Sequence, residues 1–214
     1  MNGGNGENMS KNIDKKQIIS AAAALIKEKN GSRNMTIRDI AGRLGCSHPN
    51  IYNYYHSVDE MLWDVLEVVL LTMIDTVMSK VDMESSGEQK LEVFIYELIT
   101  FYLNNPGWYS LVWFDELNGK MPAKTKKIII APRAKFCEFL GEVYPDVRDI
   151  EIFNGIGDVV HNYIHGQMAR YINGRGFIND SYELRDLIVA TVSQLIKIII
   201  SGKHILPSAR YIKK

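Results

Sequence analysis

The chain has 214 residues, with 25 Lys or Arg balanced by 25 Asp or Glu, so its formal net charge is zero. This length and composition exclude collagen-like, disordered and disulfide-stapled chains, and they allow one large domain or two smaller ones. The two cysteines, Cys46 and Cys137, lie far apart in the sequence, so we expect no disulfide and a reducing, cytoplasmic location.

Neither a signal peptide nor a membrane span is predicted. Residues 1–10 are rich in Gly and Asn, lack an apolar segment and are expected to form a disordered tail. The apolar runs Val65–Leu71 and Ile196–Ile200 are too short and too interrupted by polar side chains to cross a bilayer. We therefore expect no membrane partner.

The charges are unevenly distributed along the chain. Between Lys11 and His56 there are eight Lys or Arg and only three Asp or Glu, so this end is basic and the remainder is acidic. Such a pairing is typical of a protein that contacts nucleic acid with one end only.

Three helices are predicted at the basic end. The first runs from about Asn12 to Lys29 and stops at an Asn–Gly pair. Thr36 is a good N-cap for the second helix, and Asp39 completes a capping box. Gly45 ends this second helix because glycine readily adopts the left-handed conformation of a sharp turn.

The third helix is predicted over Ser47–Tyr54, with Ile51 as its core residue. Ala41, Gly45 and Ile51 then have the spacing of a helix-turn-helix: a small residue at the helix crossing, a glycine in the turn and an aliphatic anchor in the second helix.

These residues carry a family resemblance. The stretches TIRDIA from Thr36, LGCS from Leu44, IYNYY from Ile51 and SVDE from Ser57 resemble the N-terminal domain of TetR-family transcriptional regulators, over roughly residues 11–62. The chain departs from the family pattern at Cys46, at Tyr55 and at Val58, where valine, phenylalanine and lysine are usual. Val58 removes one expected phosphate contact.

The resemblance implies that the third helix enters the major groove of double-stranded DNA. Side chains near its start are then candidates for base contacts, and neighbouring hydroxyl, cationic and imidazole groups are candidates for phosphate contacts. The base-contact candidates are Ser47, His48, Asn50 and Asn53, and the phosphate candidates are Thr36, Arg38, Tyr52, Tyr54 and His56. We interpret Tyr55 as a core residue.

The remaining chain is predicted to be helical. Ser57 and Glu60 form a second capping box that opens a long helix to about Val81. Further helices are predicted over about 90–104, 108–117, 122–144, 148–172 and 180–200, with a kink or a split at Pro132. The fold class is therefore all-α: an N-terminal three-helix helix-turn-helix domain (11–57) followed by a larger helical ligand-binding and dimerisation domain (58–214).

Eight aromatic residues fall between Phe94 and Phe114. They suit a large helical core, but Trp and Tyr also line apolar cavities that hold a few polar groups. The resemblance implies that this domain binds a small-molecule effector. The candidate lining residues are Phe101, Tyr102, Trp108, Tyr109, Trp113, Phe114, Tyr163 and His165.

Asp158, His161 and His165 lie on one side of the penultimate predicted helix. Their spacing could serve a metal, a polar interface or a pocket wall. Because no further ligand is placed to complete a metal site, we predict no metal and no cofactor. The run Lys120, Lys124, Lys126 and Lys127 is interpreted as a solvated face.

We predict a homodimeric, ligand-responsive DNA-binding regulator, a repressor released from a pseudo-palindromic operator, and not an enzyme. The resemblance implies that the last two long helices form the dimer interface. One alternative is an architectural or protein-interaction factor that uses the DNA module without an inducer. Another is a metal-binding protein or enzyme centred on Asp158, His161 and His165.

Overall fold

The computed structural model describes residues 13–202, which form nine α-helices and no strand, so the all-α prediction is confirmed. The helices are α1 Lys15–Glu28, α2 Ile37–Leu44, α3 His48–Tyr52, α4 Val58–Val81, α5 Gly87–Asn104, α6 Pro106–Trp113, α7 Ala123–Val143, α8 Ile150–Ile172 and α9 Ser181–Gly202. The predicted tail, residues 1–10, lies outside the described residues.

Local caps set several helix boundaries. Asp14 and Gln17 form a capping box, so α1 begins at Lys15 and not near Asn12 as predicted. Ser86 and Gln89 form another, which moves the start of α5 back from residue 90 to Gly87. At α9, the Glu183 N–H donates to Asp180 Oδ1 at 2.8 Å, which caps the start of the helix.

Prolines affect two further helices, and the predicted bounds of one of them were wrong. α6 occupies Pro106–Trp113, about one turn before the predicted 108–117, because proline is well suited to a first helical turn. α7 continues through Pro132 as one helix, so of the predicted kink or split the split does not occur and the kink stays a prediction. Side chains are buried on both sides of this proline, for example Thr125 and Phe136. We infer that this packing offsets the lost backbone hydrogen bond.

The described chain divides into two compact units. The first unit contains the residues up to Val69 together with Pro106–Thr125, and the second contains Leu70–Asn105 with the residues from Lys126 onward. Contacts thus assign α6 to the same unit as the helix-turn-helix, whereas the sequence-based boundary lies after Ser57. The division into a DNA-binding domain and an effector-binding domain after Ser57 stays a prediction.

Each unit has its own apolar core. In the first unit, the fully buried Ile18, Ile26, Ile40 and Ile51 join α1, α2 and α3. In the second unit, α9 packs on α5 and on α8, and Ile156, Ile188 and Val192 are completely buried. Within residues 13–202, no helix is both long enough and apolar enough to cross a membrane.

Candidate nucleic-acid interface

The helix-turn-helix begins with a capping box at α2. The Asp39 N–H donates to Thr36 Oγ at 3.2 Å, and Asp39 Oδ2 accepts from the Thr36 N–H at 2.7 Å and from the Thr36 hydroxyl at 2.8 Å. Lys29 Nζ lies 2.8 Å from the same carboxylate oxygen. The capping box predicted here is therefore present.

This network affects the acidity of Asp39 and the role of Thr36. Hydrogen bonds from Lys29, then from Thr36, lower the pKa of Asp39 to about 2. The Thr36 hydroxyl already donates its proton to Asp39, so donation to a phosphate would require breaking that bond. The phosphate contact by Thr36 stays a prediction.

The turn depends on Gly45, which caps α2 in the left-handed region at φ 66° and ψ 36°. The Cys46 N–H donates back to the Ala41 carbonyl at 3.0 Å, which closes the turn. α3 begins at His48 and is shorter than the predicted 47–54. Ser47 occupies its N-cap position, yet its side chain makes no capping hydrogen bond.

The start of α3 presents polar side chains to solvent. Ser47, His48 and Asn53 are exposed and Asn50 is half-buried, while Ile51 is fully buried and fixes the helix to its unit. Arg38, on α2, and His56, just before α4, are exposed as well. The buried Ile51 anchors α3, and the predicted DNA-contacting side chains on and beside this helix are exposed or half-buried. A helix that enters a DNA groove needs this arrangement.

The three tyrosines around the end of α3 differ in environment. Tyr52 is 49% exposed, whereas Tyr55 is 1% exposed and donates its hydroxyl to Asp64 Oδ2 at 2.9 Å. Burial, helped by Asp64, raises the pKa of Tyr55, and its interpretation as a core residue agrees with this placement. The half-buried Tyr54 donates its hydroxyl to the Ile13 carbonyl. Tyr52 therefore suits a phosphate contact better than Tyr54, although both contacts stay predictions.

Five residues, 53–57, separate the end of α3 from the start of α4. The Glu60 N–H donates to Ser57 Oγ at 3.1 Å, and Glu60 Oε2 accepts from the His56 N–H at 2.8 Å. The predicted capping box is thus modified, because Glu60 reaches the N–H one residue before the cap. Val58 occupies the first position of α4.

α6 packs on α1 by a close backbone approach. A Cβ placed on Gly107 would lie 2.2 Å from the Ile26 carbonyl oxygen, so only glycine fits without a shift. Next to it, the Trp108 indole N–H donates to the Ala23 carbonyl at 2.8 Å. This ring, which was predicted to line an effector pocket, is thus hydrogen-bonded to α1, the helix that precedes the helix-turn-helix.

A buried carboxylate follows α6. Asp115 has a side chain that is only 3% exposed, and its Oδ2 accepts from the Ser32 N–H at 2.9 Å and from the Ser32 hydroxyl at 2.6 Å. Arg33 Nη2 donates to the Phe114 carbonyl at 3.2 Å. Asp115 therefore holds the loop between α1 and α2. This role could not be predicted from the sequence, since no local pattern links residues 83 positions apart.

The chain after α6 also attaches to the first turns of α4. Asn118 donates its backbone N–H to Asp59 Oδ1 at 2.9 Å and its side-chain amide to Asp59 Oδ2 at 3.1 Å. The Trp63 indole N–H donates to the Asn118 carbonyl at 3.1 Å. Further along, Lys124 forms an ion pair with Glu67.

The structure divides the predicted effector-lining residues between the two units. Trp108, Tyr109, Trp113 and Phe114 belong to the first unit, and Phe101, Tyr102, Tyr163 and His165 belong to the second. Their contact with an effector stays a prediction. A small apolar pocket of about 30 Å³ lies in the second unit, and other residues line it: Met73, Ile74, Val77, Met78, Phe94, Ala131, Pro132 and Lys135.

The histidines of α8 lie beside each other. The His161 and His165 ring centroids are 4.0 Å apart, and burial together with His161 lowers the pKa of His165 to about 3. Asp158 forms an ion pair with Arg133 at 2.7 Å. Among the residues that the structure describes, no three His, Cys, Asp or Glu side chains are grouped so as to hold a metal ion.

Comparison with known proteins identifies the N-terminal module. Residues 18–65, from α1 into α4, match the model of the family described as bacterial regulatory proteins, tetR family. The resemblance predicted over residues 11–62 is thereby confirmed.

Relatives and solved structures extend the likeness. A nucleoid occlusion factor SlmA from Idiomarina loihiensis is 26% identical over 106 residues, which is 50% of this chain and 54% of that protein, so the match spans about half of its length. The transcriptional regulator FadR from Bacillus subtilis, in complex with stearoyl-CoA, has a TM-score of 0.64 at 16% identity, covering 89% of this chain and 100% of that one. A TetR-like regulator from Rhodococcus sp. RHA1 has a TM-score of 0.60 at 14% identity, covering 84% and 93%. The two structural likenesses establish the fold.

Proposed function

We propose that this chain is a DNA-binding regulator of the TetR family and acts as a homodimeric repressor that leaves its operator when a small-molecule effector binds. Regulators of this family are transcription factors and not enzymes. The observation that carries the proposal is the helix-turn-helix, in which a buried Ile51 anchors α3 while Ser47, His48 and Asn53 remain exposed. A helix held in this way can insert its start into the major groove.

A dimer through α8 and α9 would present two such helices to one stretch of DNA. Exposed apolar residues on α9 support this interface: Leu187 is 44% and Ile198 is 67% exposed, and eleven residues place them about three turns apart on one side. Two recognition helices roughly 34–36 Å apart would read a pseudo-palindrome.

The response to an effector would use helices that run from one unit into the other. α4 begins in the first unit and ends in the second, and α7 begins in the first and continues in the second. An effector shifts the equilibrium only as far as it prefers one of the two conformations. We therefore expect the effector to favour a dimer whose recognition helices no longer match the operator spacing.

Selection from a random duplex library tests the DNA-binding part of the proposal. The purified chain is expected to enrich one sequence with two inverted half-sites, and an Asn50→Ala variant is expected to lose about 1–3 kcal/mol on it while binding random DNA as before. Recovery of no common sequence would contradict sequence-specific regulation, and equal losses of Asn50→Ala on both DNAs would show that Asn50 does not read a base.

A thermal-shift screen tests the effector part. It should include acyl-CoA compounds, because FadR, a structural neighbour, was solved with stearoyl-CoA. A hit is expected both to raise the Tm and to lower affinity for the selected site. A compound that stabilises the protein but leaves DNA binding unchanged would argue against an inducer.

An architectural factor without an inducer is the second candidate. One observation favours it: the match to a nucleoid occlusion factor SlmA. Binding to many selected sites with no effect from any screened compound would support this candidate over the repressor.

A further inference from the structure

The start of α4 is acidic, which would disfavour its approach to DNA. Its first ten residues, 58–67, carry four carboxylates and no Lys or Arg, and the family resemblance leads one to expect a lysine where Val58 lies. Only five residues separate the end of α3 from the start of α4, so this end of α4 lies close to α3. Unbalanced acids there would repel the phosphates. The four acids are Asp59, Glu60, Asp64 and Glu67.

Bonds within the first unit occupy all four carboxylates, and two of the four carboxylates are bonded by the segment after α6. Glu60 accepts from the His56 N–H, and Asp64 accepts from the Tyr55 hydroxyl. Asp59 accepts two hydrogen bonds from Asn118, and Glu67 pairs with Lys124. The segment 118–124 is therefore fastened to the acidic face of α4 at both of its ends.

Lys120 lies within this fastened segment. Gly119 adopts a left-handed φ of 89°, and a Cβ there would lie 4.0 Å from Trp63 Nε1, so the chain turns against α4 just before Lys120. Lys120 itself is exposed. Its Cα lies within about 7 Å of the Cα of Asn118, the residue bonded to the first turn of α4. A lysine side chain adds a flexible four-carbon stem to that reach.

We propose that Lys120 binds a DNA backbone phosphate beside the start of α4 and supplies the contact that Val58 cannot make. The contact is sequence-independent, and it depends on the proposed DNA-binding function. Lys124 serves this purpose less well because it is paired with Glu67, and Lys126 belongs to the second unit. The rival interpretation is that Lys120 is an ordinary solvated lysine.

Salt dependence distinguishes the two interpretations. Affinity for a random-sequence duplex of about 30 base pairs, roughly three helical turns, is measured by fluorescence anisotropy from about 50 to 200 mM salt. Lys120→Gln should make the slope of log affinity against log salt shallower by about 0.9, equivalent to one phosphate contact. Lys126→Gln, which removes the same charge from the neighbouring helix, should leave the slope unchanged.

Adding a lysine at position 58 provides a rescue. Val58→Lys combined with Lys120→Gln should restore the wild-type slope, because one phosphate contact replaces the other. A Lys120→Gln slope equal to that of wild type would overturn the proposal. Equal changes of slope in Lys120→Gln and Lys126→Gln would overturn it too, because they would indicate a general electrostatic attraction and not a single phosphate contact. Failure of the wild-type chain to bind the duplex at all would instead overturn the DNA-binding function itself.

Discussion

Two elements pack on α1 in the first unit, and they do so by different means. On the side of α2, the polar contacts are exposed ion pairs, between Arg43 and Glu28, where Nη1 and Oε1 are 3.0 Å apart, and between Lys29 and Asp39. On the side of α6, the contacts are the close approach of Gly107 and the Trp108 bond to the Ala23 carbonyl.

This difference indicates which of the two helices, α2 or α6, is held more rigidly on α1. Exposed ion pairs contribute little and are screened by salt, so apolar burial must hold α2 in place while its surface pairs adjust. Buried hydrogen bonds such as those of Asp115 are costly to break, because each broken bond leaves a buried polar group without its partner. We therefore expect α1 and α6 to behave as one body and the helix-turn-helix to be the more adjustable part.

The largest expected effect is at Tyr109, which is fully buried and packs edge-on against Phe114 at 5.3 Å between ring centroids. Tyr109→Ala should cost about 3–5 kcal/mol of unfolding free energy and should speed hydrogen exchange in α1. Phe114→Ala, at a ring that is 39% exposed, should cost clearly less. If the backbone amides of α1 exchange as slowly in Tyr109→Ala as in wild type, α1 and α6 do not behave as one rigid body.

A pair of glycine substitutions sharpens the comparison. Gly107→Ala should destabilise the protein by about 1–3 kcal/mol, because its Cβ would overlap the Ile26 carbonyl. Gly42→Ala, in α2, meets no atom within 4 Å and should stabilise by roughly 0.5–1 kcal/mol, since alanine favours helix. Urea unfolding measures both. A Gly107→Ala variant as stable as wild type, or more stable, would show that the close approach is absent in solution.

Two tyrosines separate DNA binding from folding. Tyr52→Phe should weaken binding to all DNA sequences by about 0.5–1.5 kcal/mol and leave stability unchanged, because Tyr52 is 49% exposed. Tyr54→Phe should instead lower stability by a similar amount, since its hydroxyl bonds the Ile13 carbonyl. Affinity and urea titrations on both variants test this. The reverse outcome would exchange their roles.

The smallest effect concerns pH at α2. The pKa of Asp39 in the folded chain, about 2, lies below its usual 3.8. The stabilisation from its ionised form is therefore present above about pH 4 and is lost as pH falls toward 2. The unfolding free energy of Asp39→Asn should depend less on pH in this window than that of wild type. Identical pH profiles would mean that the Lys29–Asp39–Thr36 network does not form in solution.

Local rules explain why the helix-turn-helix was predictable and the α6 attachment was not. Thr36, Asp39 and Gly45 act within a few residues of each other, so their spacing in the sequence reveals the cap and the turn. Asp115 acts on Ser32, 83 residues away, and nothing near either residue indicates the partner. The aromatic-rich stretch was also misleading, because the chain passes from the second unit to the first at Asn105–Pro106, between rings that look continuous in the sequence.

The placement of α6 has a spectroscopic consequence. The chain contains three tryptophans, Trp63, Trp108 and Trp113, and all of them belong to the first unit. Intrinsic tryptophan emission therefore reports on the DNA-binding unit and carries no direct signal from a fluorophore in the second unit. Phe101, Tyr102, Tyr163 and His165, the candidate lining residues of the second unit, include no tryptophan. A change in tryptophan emission on adding a compound therefore reports on the surroundings of Trp63, Trp108 or Trp113 in the first unit.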